Sequence, residues 1–339
     1  MARTTRDAER RRPTSRRGLS EDSPLLGGSL SVGAGAETPR APAKDFEPRH
    51  DDLGLPRAGE RPEPSPRDLR ELIPPADGSR ELDDWGRSQR VFDLMEPLLD
   101  FYYRYWFRVE QRGVENVPSE GGALLVSNHS GALPPDGPMI MQAIRHEHPE
   151  PRPLYMLGEH WFKGYPGVGM LTNKLGLVPA HTANAQRLLH DEGRLAIVFP
   201  EGQKGSRKLY WQRYRLRRFG RGGFVRTAIK AGVPIVPVSV VGAEEAMPIF
   251  AHVPLLQRLT RLIYFPVNHA FPQFGLAAAF MYLPAKFKIR FLDPVDTSMY
   301  GPDDAGDLAL VQAIAVEVRG QIQASLDGLL SERKSVWFG

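Results

Sequence analysis

The sequence predicts an α/β fold: a mostly parallel mixed central sheet flanked by helices, with a disordered N-terminal tail. Three observations predict it. The apolar runs Leu124–Val126, Leu195–Phe199 and Val233–Val241 are largely continuous rather than alternating, as in strands covered on both faces. Segments with helical spacing of apolar residues separate them, the alternation that builds a parallel sheet with helices on both faces. Residues 1–80 show neither pattern and are rich in Arg, Pro, Gly, Ser and acidic residues. Such a segment buries too little apolar area to offset its ordering entropy. Residues 81–335 then form a single domain, which includes an N-terminal amphipathic helix at about 85–110 and an apolar insertion at about 251–284.

The elements follow in order. Val91, Leu94, Met95, Leu98, Leu99, Tyr102, Tyr103 and Trp106 recur at helical spacing. The aromatic end of that helix, with Arg104 and Arg108 interleaved, suits a bilayer interface and suits packing on the sheet; both readings stay open. Leu124–Val126 is a buried strand. Asp136 is a good N-cap for a helix through Ile144, with Pro138 tolerated in its first turn. Pro153–Leu157 is a second strand, Trp161–Leu175 a punctuated helix, and Leu177–Pro179 a short edge-like strand. Ala183–His190 is a helix stopped at Gly193, and Gly223–Ala231 one stopped at Gly232. Leu195–Phe199 and Val233–Val241 are further strands. Ala251–Pro284 reads as a membrane-facing insertion, a lid or core. Lys286–Phe291 is the last strand, and Ala305 to about Leu330 a C-terminal amphipathic helix. No repeat of fixed period occurs.

Composition narrows the function. With 339 residues, 41% of them hydrophobic, the chain can build a real core. It has no cysteine, which excludes disulfides, thiolate nucleophiles and Cys-ligated metals. The net charge of +4 favours anionic surfaces without choosing between lipid headgroups and nucleic acid. The basic cluster of Arg10, Arg11, Arg12, Arg16 and Arg17 fits lipid or nucleic-acid contact, or a merely solvated tail. No apolar run reaches the roughly 18 residues of a spanning helix, and the Arg-rich start lacks the apolar core of a secretory signal. A soluble or membrane-surface protein is expected.

The chemistry starts at His129. It follows a buried strand, where an α/β sheet opens its crevice. An imidazole with a free pKa near 6.5 accepts a proton near neutrality. Asp136 follows in the same stretch, Asn128-His129-Ser130-Gly131-Ala132-Leu133-Pro134-Pro135-Asp136. Downstream, Phe199-Pro200-Glu201-Gly202 ends one strand, and Val233-Pro234-Ile235-Val236-Pro237-Val238 forms another. No Gly-x-Ser-x-Gly elbow, P-loop or dinucleotide fingerprint is present. His146-Glu147-His148 has metal-like spacing but lies in a polar loop.

In these three ordered blocks the chain resembles the PlsC-like lysophospholipid and glycerolipid acyltransferase superfamily, over about residues 85–300. The resemblance implies an O-acyltransferase like the 1-acylglycerol-3-phosphate enzymes of phospholipid biosynthesis. It would move a fatty acyl group from acyl-CoA or acyl carrier protein to a lyso-phospholipid or glycerolipid hydroxyl. No cofactor is implied. The partners would be the thioester donor, the lipid acceptor and a membrane surface, without nucleic acid. The protein would lie peripherally on the cytoplasmic face of the membrane. The implied catalytic residues are His129 as general base and Asp136 as its orienting carboxylate. The implied substrate-binding residues are Asn128, Ser130, Gly131, Phe199, Pro200, Glu201, Gly202, Lys204, Arg207 and Pro237. Backbone N–H groups near Ser130-Gly131 or Gly202 are the expected oxyanion donors. Two departures stand out. Asp136 lies two residues beyond the family's usual spacing. The second block, Leu175 to His181, lacks the Arg that contacts an acceptor phosphate, a role the basic stretch Lys204–Arg218 is placed to fill unless it is only a solvated charged face. A non-catalytic lipid-binding protein of the same fold is the alternative.

Overall fold

Continuous apolar runs become buried strands here, and the helical-period segments cover them. In chain order the elements are α1 (Gln89–Asp100), β1 (Glu110–Arg112), β2 (Ala123–Ser127), α2 (Asp136–Glu147), β3 (Leu154–Gly158), α3 (Val168–Lys174), β4 (Leu177–Pro179), α4 (Thr182–Gln186) and β5 (Leu195–Val198). Then come α5 (Gln203–Ser206), α6 (Gly223–Ala231), β6 (Ile235–Val241), α7 (Ala243–Ala246), β7 (Ala251–His252), α8 (Pro254–Thr260), β8 (Pro266–Val267), β9 (Lys288–Phe291) and α9 (Leu308–Ser331). This computed structural model describes residues 82–130, 134–158, 168–217, 219–260, 266–270, 273–274 and 281–339. The tail expected at 1–80 lies outside the described residues, as do residues 159–167, the start of the helix expected at Trp161–Leu175, and parts of the apolar insertion.

The sheet runs β1-β9-β6-β2-β5-β3-β4. Strands β2 to β6 are mutually parallel. β9 runs antiparallel to β6, and β1 parallel to β9, so the sheet is mixed as expected. One face is closed by α1 and α2, where Phe92, Met139, Ile140 and Ile144 meet Leu125, Ile197 and Val236. The other is closed by α6, α9 and the turn after α4, where Leu188, Val225, Ala228, Val318 and Ile322 meet Leu124, Val126 and Ile235. β2 lies at the centre, between β5 and β6, with Val126 in register with Val198 and Pro237. The carboxyl ends of these three strands therefore meet, and the chain leaves them at His129, Pro200 and Gly242.

Local differences from expectation have physical causes. Pro237 lies on β6, an interior strand. Ile235 faces Val295 while Val238 faces Phe291, so two residues of β6 stand opposite three beyond β9. Pro237 sits at this bulge, where its missing N–H costs no ladder bond. Its carbonyl accepts from Leu292 N at 2.8 Å. Asp136 is the first helical residue of α2 rather than its cap, which is Pro135. The helix α1 continues as a π-helical turn, Phe101–Trp106. No helix among the described residues is long and apolar enough to cross a membrane.

Candidate active site

β2 delivers His129 to the rim of the sheet, and α2 returns Asp136 beneath it. Asp136 Oδ2 lies 3.1 Å from His129 Nδ1. The same oxygen accepts from Ser130 N at 3.0 Å and from Ser130 Oγ at 3.1 Å, and Oδ1 accepts from Gly137 N at 2.8 Å. With the carboxylate 1% exposed, this set of donors holds it in place. The Nδ1 hydrogen is thereby assigned toward Asp136, which leaves the Nε2 lone pair outward. The His129 side chain is 17% exposed, and no described residue bonds Nε2. Phe199, at the end of β5, stacks on the imidazole with centroids 4.3 Å apart and planes 23° apart. The ring is thus fixed at one nitrogen and one face, and its other nitrogen has no bonding partner among the described residues.

Glu201 holds the backbone under this ring. Its Oε2 accepts from His129 N at 3.3 Å and from Lys208 Nζ at 3.2 Å, and its Oε1 accepts from Arg217 N at 2.5 Å. Gly205 lets α5 approach. A Cβ there would lie 2.6 Å from Glu201 Cβ and 3.1 Å from His129 Cβ.

Residues 108–241 match the family model Acyltransferase. An uncharacterized protein of Mycobacterium tuberculosis is 41% identical over 286 residues, covering 82% of this chain and 79% of that one. The chain belongs to the Acyltransferase family. A Gallus gallus protein described as a DGAT1/2-independent enzyme synthesizing storage lipids is 25% identical, over 72% of this chain and 65% of that one. The crystal structure of the 1-acyl-sn-glycerophosphate (LPA) acyltransferase PlsC from Thermotoga maritima aligns with 72% of this chain and 83% of its own, at TM-score 0.47 and 20% identity.

Other residues expected at this acyltransferase site are placed differently. Asn128 is fully buried and clamps β6: its Nδ2 donates to Val240 O at 3.0 Å, and its Oδ1 accepts from Val240 N at 2.8 Å. Both ends of its amide are spent on the sheet, so it ties strands together rather than meeting substrate. Pro237 is buried in β6 at the bulge. The expected oxyanion donors are engaged: Ser130 N on Asp136, and Gly202 N on Phe199 O at 2.9 Å. Gly131 lies outside the described residues. Glu201 is buried and bonded throughout, so it supports the site from behind. Pro200 and Gly202 turn the chain at the mouth, with Gly202 at φ 52°. Lys204 is exposed and Arg207 half-buried.

The basic stretch is not one charged face. Lys208 is buried between Glu201 and Glu244, which lies 2.7 Å away. Arg213 lies over the Tyr210 ring at 4.3 Å. Arg215 and Arg217 remain exposed. His148 bonds two backbone carbonyls, Glu150 O and Val117 O, and no group of described residues could hold a metal ion. Sequence reasoning missed Lys208, Gly205 and Glu244; a lysine or glutamate carries no local sign of burial when its partner is 36 residues away.

Proposed function

We propose that the protein moves an acyl group from a thioester donor to a lipid hydroxyl, with His129 as general base. The observation that carries this reading is the His129–Asp136 pair at the rim of the sheet, oriented at Nδ1 and with no partner at Nε2 among the described residues. The donor is acyl-CoA or acyl carrier protein. Nε2 takes the hydroxyl proton as the oxygen attacks the thioester carbonyl. The C–O bond forms, the C–S bond breaks, and the proton passes to the leaving thiolate. Asp136 stabilises the imidazolium in between. Direct transfer needs no enzyme nucleophile, in keeping with the absence of cysteine. The acceptor is a glycerolipid or lyso-phospholipid, as in 1-acylglycerol-3-phosphate acylation. The storage-lipid relative favours a glyceride, whereas a phosphate would call on the exposed Lys204, Arg215 and Arg217. The protein works at a membrane surface, which the exposed apolar stripe on its first helix supports.

Thiol release from acyl-CoA with a panel of neutral and phosphorylated acceptors tests the reading. His129→Ala is expected to lower turnover about 10²–10⁴-fold. Near-full turnover in that variant, or wild-type liposome binding without thioester cleavage, overturns it.

A further inference from the structure

We propose that Lys208 is a positioning residue for acyl transfer: seated on buried Glu244, it grips Glu201 and so fixes the backbone on which His129 stands. This rests on His129 being the base. The Lys208 side chain is 1% exposed and lies between two carboxylates, Glu244 Oε1 at 2.7 Å and Glu201 Oε2 at 3.2 Å. That same Glu201 oxygen receives the His129 N–H. One ammonium therefore reaches the catalytic loop through a single atom.

The seat is built from the far side as well. Glu244 Oε2 accepts from Tyr214 N at 2.9 Å, with Tyr214 held at φ 61°. Tyr214 Oη donates to Glu245 Oε2 at 2.6 Å and accepts from Gly242 N at 2.8 Å. Glu245 is paired with Arg333 at 2.6 Å and lies 3.4 Å from Arg213 Nε. Glu201, Glu244 and Glu245 thus face Lys208, Arg333 and Arg213 from the ends of β5 and β6, the segment after α5, and the chain beyond α9. Burying so many charges costs desolvation that well-packed apolar side chains would avoid. Such a network serves placement better than stability.

Protonation gives a readout that a merely structural role would not move. Burial pushes the Glu244 carboxyl up to about 7, with the Glu201 charge adding to it and Lys208 opposing it. Both Glu244 oxygens face donors, so a proton there opposes the Lys208 or Tyr214 contact. The grip is complete above pH 7 and loosens below it.

The experiment compares kcat per folded enzyme for wild type, Lys208→Met, Glu244→Gln and His129→Ala by thiol release across pH 5.5–8.5, a window of about 1.5 units either side of that value. Lys208→Met is expected to lose roughly tenfold to 10²-fold in kcat with KM little changed, the cost of a misplaced base. The wild-type to Glu244→Gln ratio of kcat is expected to grow as pH rises through about 7, where Glu244 takes up its charge. If Lys208→Met does not fold, the Glu244→Gln ratio decides alone. Wild-type kcat in folded Lys208→Met, or a ratio flat with pH, overturns the proposal while an inactive His129→Ala keeps the base reading. An active His129→Ala removes that reading instead.

Discussion

At the residue scale the site depends on how one carboxylate distributes its oxygens. Asp136 Oδ2 receives three donors, from His129 and Ser130, and Oδ1 receives the Gly137 N–H. An amide has one acceptor oxygen and two N–H groups of its own. Asp136→Asn must turn a donor toward donors whichever way it is placed. It is expected to cut turnover about 10²–10⁴-fold, because the imidazole loses both its tautomer and its stabiliser. It is also expected to destabilise the fold by roughly 1–3 kcal/mol. Thiol release and thermal unfolding measure the two effects separately, and unchanged turnover would refute the orienting role. His129 was legible because a reactive residue type stood at the end of an apolar run, and Asp136 because the resemblance pairs it with that histidine; the fold sets them 3.1 Å apart. Asn128 was misread for the same reason: it is polar and at the same strand end, yet its partner is the β6 backbone at Val240. Strand register across the sheet is not written locally. Lys208 was misread because lysine is seldom buried, and only the fold brings Glu201 and Glu244 to either side of it.

At the element scale the sequence was most informative where burial is two-sided. β2, β5 and β6 are near-continuous runs of Val, Ile, Leu and Ala, a pattern a parallel interior strand requires. The last strand, β9, was legible, but its antiparallel pairing with β6 and the bulge at Pro237 were not, since both depend on which strand returns beside β6. α5 lies at the start of the basic stretch, and its role comes from having no side chain at Gly205. Gly205→Ala puts a Cβ 2.6 Å from Glu201 Cβ and 3.1 Å from Glu201 Oε2. The helix must then move off the carboxylate that bonds His129 N. We expect a loss of about 1–3 kcal/mol, as in other overpacked sites, with a fall in turnover beyond the loss of folded protein. Gly320→Ala in α9 is the control. A Cβ there meets nothing within 4 Å, and alanine favours the helix by about 1 kcal/mol, so it is expected to be neutral or stabilising. Equal effects from the two changes would show that α5 packing has no special part in the site.

At the scale of the whole molecule, the first helix carries two apolar stripes, and the sequence alone did not separate them. Phe92, Tyr103 and Phe107 face the core, with Leu99, Tyr102 and Trp106 partly buried beside them. Leu94, Leu98, Phe101 and Tyr105 follow at steps of four, three and four residues and stay 77%, 38%, 44% and 70% exposed. Aromatic spacing of this kind looks the same in both cases until the packed side is known. The outer stripe is an apolar surface of a kind that suits a bilayer interface, where a Tyr ring keeps its hydroxyl wet while Leu and Phe enter the acyl boundary. Each such side chain contributes about 1.5–3 kcal/mol when fully buried. Replacing Leu94, Phe101 and Tyr105 together by serine is therefore expected to weaken liposome binding more than tenfold. Turnover of a short-chain acceptor in free solution should stay at the wild-type rate, because these side chains point away from the core that supports His129. Liposome co-sedimentation and thiol release on the same preparations separate the two outcomes. Undiminished sedimentation of the triple variant would remove this helix as the docking surface. Loss of turnover on the soluble acceptor would show instead that the stripe supports the fold.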